Sequence, residues 1–442
     1  MKKYIYIIVP ILLTGCGIYG KYKRPEHITG EHLYGQEISE QADSTTLAAL
    51  SYNEIFTDPY LQELIETAIK ENADIKSLEL AVRQAQAGYK ASRLAFVPSL
   101  TFIPQGGYNI NNTPGWSYSL PVALDWEIDL FGRLLNQKRR AGAALQMTQD
   151  AREAAQTQIV ATVASLYYQL LALDAQLNIT DSTTSKWRET VRIMSLMKEA
   201  GMMNEVSVSQ TQATCYAIEA GVLELKQAIN SVEVALCTII KQPTHHIERG
   251  VMTAQVLPTN LQIGVSAQLL ANRPDVRQAE HNLEQYYYGE NLARAQFYPA
   301  ISISGTALWN GEFLKSFLGS LTQPIFARGG LRANLEVAMA QHEQAVLQFE
   351  QKLIQAGGEV NQALVKCNTA RSKHTLRAMQ VDALHKAMEN TQSLMTNGSA
   401  TYLEVIYAQQ SLLDAQNSQI QDWLDEAQGV VSLYQALGGG TH

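Results

Sequence analysis

Two segments of the chain alternate apolar and polar residues with the period of a β-strand. From Trp116 to Leu130 every even position is apolar, and the odd positions are mostly Ser, Asp and Glu. The same alternation runs through Leu100–Ile110 and Ile301–Trp309, while Phe313–Phe326 alternates poorly. A period of two puts alternate side chains on opposite faces of a strand. We therefore predict two β-hairpins, over 99–130 and 300–326, with turns at "NNTPG" and at Asn310-Gly311.

Long stretches without proline follow each predicted hairpin. No proline occurs between Pro121 and Pro243 or after Pro324. Apolar residues in these stretches recur at alternating steps of three and four, which predicts coiled-coil helices; they are Ile159, Val163, Leu166, Leu170, Leu173, Leu177 and Val346, Phe349, Leu353, Ala356, Val360, Ala363, Cys367. We expect each stretch to fold back once, near the polar segments Asn178–Ser185 and Asn368–Thr375.

The chain repeats itself at a spacing of about two hundred residues. Asn72–Phe102 aligns without a gap on Arg273–Ile303, with seven identities in 31 positions. A second, weaker match places Gly201 over Gly398 at nearly the same shift. We predict two copies of one unit, each made of a helix, a β-hairpin and a long helical hairpin, over 61–258 and 259–442.

The first sixteen residues have the features of a targeting segment. Lys2 and Lys3 precede the apolar run Tyr4–Leu13, which is too short to span a bilayer as a helix. The ending "LTGC" resembles the lipobox of bacterial lipoproteins, which implies a signal peptide over 1–15, acylation of Cys16, for example with palmitate, and a lipid-anchored segment over 16–60. Gly17 in place of Asp favours the outer membrane. An ordinary signal peptide with an incidental cysteine is the alternative.

Composition and charge exclude several function classes. With 34 basic and 42 acidic residues the chain has a net charge of −8 and no basic cluster, which argues against a nucleic-acid partner. Cys215, Cys237 and Cys367 have no metal-binding spacing, so we expect them to be buried helix residues and expect no metal site. His245-His246 stands alone, and no P-loop, GxSxG or HExxH motif indicates an enzyme.

The predicted strands have the length and pattern of transmembrane β-barrel strands. Half-buried strands of a soluble sandwich would show a similar alternation. Four strands cannot close a barrel, and open hairpin edges in lipid would leave backbone groups unpaired. We therefore expect several chains to share one barrel, and we predict a mixed, mainly α fold in which each repeat contributes one β-hairpin and one set of long coiled-coil helices to a ring.

Several motifs resemble the outer-membrane factor family, the TolC/OprM-like channels, in its lipoprotein (NodT-type) branch. The resemblance covers nearly the whole mature chain and is carried by "YKRP", "YNEIFTDPYLQEL", "DIKSLELAVRQA", "DWEIDLFGRL", "ANRPDVRQAE", "QPIFARGGLRA" and "SLYQALGGG". The segment "GMMNEV" from Gly201 is an unusual form of the family's first glycine motif.

This resemblance implies a homotrimer with a twelve-stranded barrel in the outer membrane, which continues into a long coiled-coil α-helical barrel in the periplasm. Such a channel is a passive, gated conduit that exports small molecules such as drugs from an inner-membrane transporter through a periplasmic adaptor. The resemblance implies no enzyme activity and no cofactor beyond the lipid on Cys16. A periplasmic coiled-coil adaptor lipoprotein is the alternative, and it predicts a single helical hairpin without membrane-facing strands.

Two further expectations concern charged residues. The closing end should lie at helix tips near residues 176–185 and 368–386, where charged side chains from three subunits would form rings. Asp382 and His385, three residues apart, are the gate candidates, although a solvated helix face would have the same pattern. Asp125, Glu127 and Asp129 would line the barrel and favour cations.

Overall fold

A computed structural model describes residues 19–25, 51–109, 115–258, 273–309, 313–397 and 399–439. The predicted acylation site Cys16 and the predicted turn at Asn310-Gly311 lie outside these residues, as does most of the "NNTPG" turn.

The described chain is mainly helical. The helices are α1 (Tyr52–Ile55), α2 (Pro59–Glu71), α3 (Ala73–Leu94), α4 (Arg133–Glu199), α5 (Glu205–Ile239), α6 (Pro274–Ala295), α7 (Gly330–Thr396) and α8 (Tyr402–Ala436). The strands are β1 (Ser99–Phe102), β2 (Gln105–Asn109), β3 (Gly115–Ile128), β4 (Ala300–Trp309) and β5 (Phe313–Thr322). Within the described residues, no helix combines the length and the apolarity needed to cross a membrane.

The predicted repeat is reproduced in the lengths of the helices. The helices α3 and α6 both have 22 residues, α4 and α7 both have 67, and α5 and α8 both have 35. The starts of α3 and α6 are 201 residues apart, but those of α4 and α7 are 197 apart. The first hairpin segment is therefore four residues longer than the second, which explains why the two sequence matches required slightly different shifts.

Contacts divide the chain into two compact units, each of which draws on both repeats. The first, here called the sheet unit, contains Ser77–Arg152, Pro274–Ile354 and the N-terminal residues 19–25. The second, here called the helical unit, contains the described parts of Glu31–Lys76, Glu153–Arg273 and Gln355–His442.

In the sheet unit the two hairpins join in one antiparallel sheet of order β1-β3-β4-β5, with β2 also paired to β3. The first predicted strand is interrupted at Pro104, which has no N–H to donate, so β1 and β2 pair with successive parts of β3. Strand β3 of the first repeat pairs with β4 of the second, with Trp126 opposite Ile303 and Asp125 opposite Ser304. This register places the apolar positions of both repeats on one face.

Eight of the thirteen predicted coiled-coil positions are confirmed as buried core, and the other five are partly buried. Val163, Leu170, Val360 and Cys367 are all 0% exposed. In the helical unit they belong to a cluster that also buries Tyr167. The other two described cysteines, Cys215 and Cys237, are buried and free, as expected.

The predicted fold-back positions are wrong. Residues 178–185 and 368–375 lie inside the continuous helices α4 and α7. Their hydroxyl groups hydrogen-bond to carbonyl oxygens four residues earlier, as Thr180 does to Gln176 and Thr184 does to Thr180, at 2.7 and 2.9 Å. Such bonds satisfy polar side chains within a helix, so a polar segment need not end it.

Candidate functional site

The helices turn instead at residues 200–204 and between the end of α7 at Thr396 and the start of α8 at Tyr402. Gly201 has a φ of 72°, the left-handed conformation that terminates many helices, and Met202 N–H donates to the Met197 carbonyl at 2.9 Å. The second repeat has the same bond 197 residues later, from Ser399 to Leu394 at 2.8 Å. A glycine just after a long periodic segment was therefore the sequence signal for the turn.

The next helix begins with a polar cap in both repeats. Asn204 accepts a hydrogen bond from the Ser207 N–H at 2.9 Å, while Thr401 and Glu404 form a capping box. Both turns of the helical unit line a cavity of about 430 Å³, in which Met194 and Met202 face Tyr402 and its neighbours. The unusual "GMMNEV" segment thus forms part of a cavity wall.

The gate candidates Asp382 and His385 lie on α7, fifteen and twelve residues before the turn at Asn397. Both are solvent-exposed in the single chain, and each side chain is near a residue four positions later: Asp382 accepts from Lys386 at 2.7 Å, and His385 lies 3.4 Å from Glu389. They are farther from the turn than expected, and their role in a gate stays a prediction.

A row of ion pairs joins α7 to α8 in the helical unit. Asp422 is 2% exposed, and its carboxylate forms ion pairs with Lys373 at 2.7 Å and Arg377 at 3.0 Å. Arg371 pairs with Glu426 at 2.9 Å. Burial alone would raise the pKa of Asp422, but the hydrogen bonds from Lys373 and Arg377 outweigh it, so the pKa lies below its usual value.

This ion-pair row is specific to the second repeat. The acidic residues of the row are Asp422, Asp425 and Glu426, and at the corresponding positions 197 residues earlier α5 has Leu225, Ala228 and Ile229. Sequence reasoning missed the row. The signal was two basic residues four positions apart, Lys373 and Arg377, followed in α8 by acidic residues three and four positions apart, because these spacings place each group on one helix face.

The segment between α5 and α6 links the two repeats, and it is bound by equivalent residues of the two 67-residue helices, Asp174 in α4 and Arg371 in α7. In the first repeat Asp174 accepts from Arg249 at 2.5 and 3.0 Å, and in the second Arg371 donates to the Pro258 carbonyl. Arg249 is nearly buried and also pairs with Glu233 at 2.6 Å. The linking segment is therefore fixed to both long helices at equivalent residues.

Two of the family-like motifs meet at the end of α8. Arg273, the first residue of "RPDVRQAE", donates to the Ala436 carbonyl at 2.9 Å and pairs with Glu359 at 2.6 Å. Gly438 has a φ of 76°, and a Cβ there would lie 2.9 Å from the Arg273 backbone. A side chain at this glycine is therefore excluded on both conformational and steric grounds.

Residues 19–25, here called the strap, lie along α6 in the sheet unit. Tyr22 N–H donates to the Tyr288 hydroxyl at 3.3 Å. Arg24 donates to Glu280 at 2.9 Å, and its guanidinium lies 5.6 Å from the Phe349 ring centre. The "YKRP" and "RPDVRQAE" motifs are thus partners in the structure.

The polar face of the sheet carries few charges. Glu127 is paired with Arg133 at 2.6 Å, and Asp129 accepts the Leu135 N–H at 2.7 Å near the start of α4. Asp125 is exposed and, within the described chain, its carboxylate makes no hydrogen bond or ion pair. Of the three acidic residues expected to face a lumen, Asp125 is therefore the one whose carboxylate has no bonding partner within the described chain.

The described residues contain no group of three or more His, Cys, Asp or Glu side chains that could hold a metal ion. Burial raises the pKa of the Cys367 thiol to about 11, which keeps it protonated and unreactive at neutral pH.

The sequence model of the outer membrane efflux protein family matches residues 64–240 and 265–439, one match in each repeat. The chain belongs to this family. It is an outer membrane efflux channel, as predicted, and the family assignment does not support the adaptor lipoprotein. The observed pair of helical hairpins and the sheet also differ from the single hairpin that an adaptor would have.

Relatives match over nearly their whole length. The solvent efflux pump outer membrane protein SrpC of Pseudomonas putida is 28% identical, with 97% of this chain and 96% of SrpC covered. The probable outer membrane lipoprotein SilC of Salmonella typhimurium is 25% identical, with 99% and 98% covered. The open-state structure of the Neisseria gonorrhoeae MtrE outer membrane channel has the same fold, with a TM-score of 0.85, 24% identity, and 96% and 98% covered.

Proposed function

We propose that three copies of this chain form one passive, gated efflux conduit, in which their sheets close a twelve-stranded barrel. The observation that carries this proposal is a sheet with two open edges. Within the described residues β1 and β2 pair only with β3, and β5 pairs only with β4. Such edges require partners inside a membrane, and a second copy of the chain offers the complementary edge.

Exposed apolar side chains support a shared assembly. Trp116, Tyr118 and Leu100 on the apolar face of the sheet are 81%, 64% and 70% exposed, which suits contact with lipid. On the helical unit, Val365 and Leu376 of α7 are 58% and 64% exposed. They lie eleven residues apart, close to three full turns, so they form a stripe on one side of the helix that a neighbouring subunit would cover.

The conduit works with a periplasmic adaptor and an inner-membrane transporter. The cavity between the two helix turns is the place where we expect the adaptor to bind, because Met202 there is 71% exposed and flexible thioether side chains adapt to partner surfaces. Replacing Met202 with Lys should abolish in vivo cross-linking to the adaptor while leaving trimer formation unchanged. Retained cross-linking would contradict this assignment.

Acylation of Cys16 anchors the chain in the outer membrane, and no other cofactor is needed. The "LTGC" ending supports this, and the relative SilC is named an outer membrane lipoprotein. Wild-type protein should incorporate labelled palmitate, and Cys16→Ser should not. If the wild type remains unlabelled, the leader is an ordinary signal peptide.

The test of the conduit itself combines subunit counting with conductance. Chemical cross-linking of the detergent-purified protein should give a ladder that ends at three subunits, and the trimer should open channels in a planar bilayer. A monomer without conductance would refute the proposal. Leu376→Asp should weaken the trimer, whereas the control Thr391→Asp on the same helix should not.

The same recordings test the gate candidates. If Asp382 lines the constriction, Asp382→Ala should raise single-channel conductance. Glu343→Gln serves as the control, because Glu343 is an exposed carboxylate on the same helix, 39 residues before Asp382. Unchanged conductance would remove Asp382 from the gate. His385→Ala is tested in the same way.

A further inference from the structure

The polar face of the sheet carries one uncompensated charge per chain. Its positions are the odd residues of β1, β2 and β3 and the even residues of β4 and β5, and Ser and Thr are the commonest residues among them. Asp125 and Glu127 are the only charged residues at these positions in the described strands. The pair between Glu127 and Arg133 cancels the second of these charges.

The surroundings of Asp125 are polar and uncharged. In the sheet register it lies between Ser99 of β1 and Ser304 of β4. The Ser99 hydroxyl donates to the backbone carbonyl of Asp125 at 3.2 Å and leaves the carboxylate exposed. No cation on either neighbouring strand is in register with it, so its field is not neutralised locally.

We propose that Asp125 is the residue that makes the barrel of this conduit cation-selective. The inference rests on the proposed trimer, in which the apolar face contacts lipid and the polar face lines the pore. Three copies would then place three carboxylates at one level of the barrel. Rings of charged side chains favour passage of the oppositely charged ion by long-range attraction, without a bound ion.

The expected size of the effect follows from distance and screening. A twelve-stranded barrel has a radius on the order of 12 Å, and three charges at that distance in water enrich cations on the axis about threefold at ~10 mM salt. At ~1 M salt the screening length falls to about 3 Å, and the enrichment disappears. The inference thus predicts a selectivity that depends strongly on salt.

The experiment measures reversal potentials of the purified full-length trimer in planar bilayers under a KCl gradient. At about 10 mM KCl the potential that enriches cations about threefold depletes anions by the same factor, so the cation-to-anion permeability ratio of Asp125→Asn should fall about tenfold relative to wild type. At about 1 M the two ratios should agree. Ser304→Lys, which places a cation in register with Asp125, should lower the ratio at least as far. Thr306→Asn is the matched control, because it is exposed on the same face and changes no charge.

The outcomes separate the inference from the function on which it rests. Wild-type channels with an unchanged ratio in Asp125→Asn would overturn the role of Asp125 and leave the conduit intact. An equal fall in Thr306→Asn would also overturn it, since the effect would not depend on charge. If wild-type protein forms no channels, both the conduit and this inference fail.

Discussion

Asp422 offers a direct test of how the second helical hairpin is held together. Asp422→Asn keeps the shape of the side chain but removes the charge that Lys373 and Arg377 both contact. Asp425 is a matched control, because it is more exposed and lies 3.7 Å from Lys373. The change therefore isolates the buried carboxylate from its surface neighbour.

The magnitude follows from the two contacts. A hydrogen bond to a charged group contributes about 1.5–3 kcal/mol, but the Lys373 and Arg377 side chains are 45% and 28% exposed and are partly solvated. After this discount, Asp422→Asn should cost about 2–3 kcal/mol, and Asp425→Asn well under ~1 kcal/mol. Because the unfolding entropy grows with chain length, the thermal midpoint should fall by about 2–3 °C for Asp422→Asn.

The assay is thermal denaturation of the detergent-purified oligomer at a fixed scan rate, because unfolding of such assemblies is often irreversible. The pH dependence of the thermal midpoint provides a second test. Since the pKa of Asp422 is lowered on folding, its contribution is complete above the unfolded value near ~3.9 and is lost as the pH falls through the folded value. The wild type and Asp422→Asn should therefore converge in acid.

The residues at the equivalent positions of the first repeat should restore the stability that is lost when Asp422 is replaced. Converting Asp422 to Leu, Lys373 to Gln and Arg377 to Thr installs the residues found 197 positions earlier. Because well-packed apolar residues often replace a buried ion pair at no net cost, this triple variant should be more stable than Asp422→Leu alone. The reasoning is refuted if Asp422→Asn has the same thermal midpoint as the wild type, or if Asp425→Asn lowers the midpoint as much as Asp422→Asn does.

Three further predictions concern the strap, the first helix turn and one histidine. Arg24→Ala should expose the strap to limited proteolysis, and the charge exchange Arg24→Glu with Glu280→Arg should restore protection; if Arg24→Ala is cleaved no faster than wild type, the pair does not hold the strap. Gly201→Ala should lower stability by about 1 kcal/mol in thermal melts, because alanine resists a φ of 72°, and a neutral result would mean that the turn adjusts. The hydrogen bond to Glu284 raises the pKa of His281, so its contribution is complete below ~6.5 and is lost as pH rises through the folded value. In thermal melts from pH 6 to 9, the difference in midpoint between wild type and His281→Gln should shrink as the pH rises. A difference that stays constant over this range would contradict the prediction.

The fold was predictable wherever a periodic pattern reflected burial. Alternation in Trp116–Leu130 predicted β3, and the three-four steps through Val163 and Val360 predicted buried helix faces. Both succeed because one face of each element must avoid water. The outcome was different where polarity alone was used as evidence, since the hydroxyl groups near Thr180 hydrogen-bond within their own helix.

The candidate site was less predictable because its residues act through partners distant in sequence. Glu127 and Asp129 looked like free lumen charges, yet Arg133 and the start of α4 engage them. Nothing in a linear pattern distinguishes these two from Asp125. Partner choice depends on the turn between strand and helix, which sequence periodicity does not describe.

The identical lengths of the paired helices have a consequence for how this chain can change. Deleting one residue from α4 would rotate everything beyond it by about 100° and shift it by about 1.5 Å relative to the helices packed beside it. The four-residue difference between the repeats lies between α3 and α4, where such a change has no long helix to displace. Insertions, including affinity tags and reporter peptides, should therefore be tolerated in the hairpin segments and rejected within the helices, so a scan of insertion sites should map the helix boundaries in living cells.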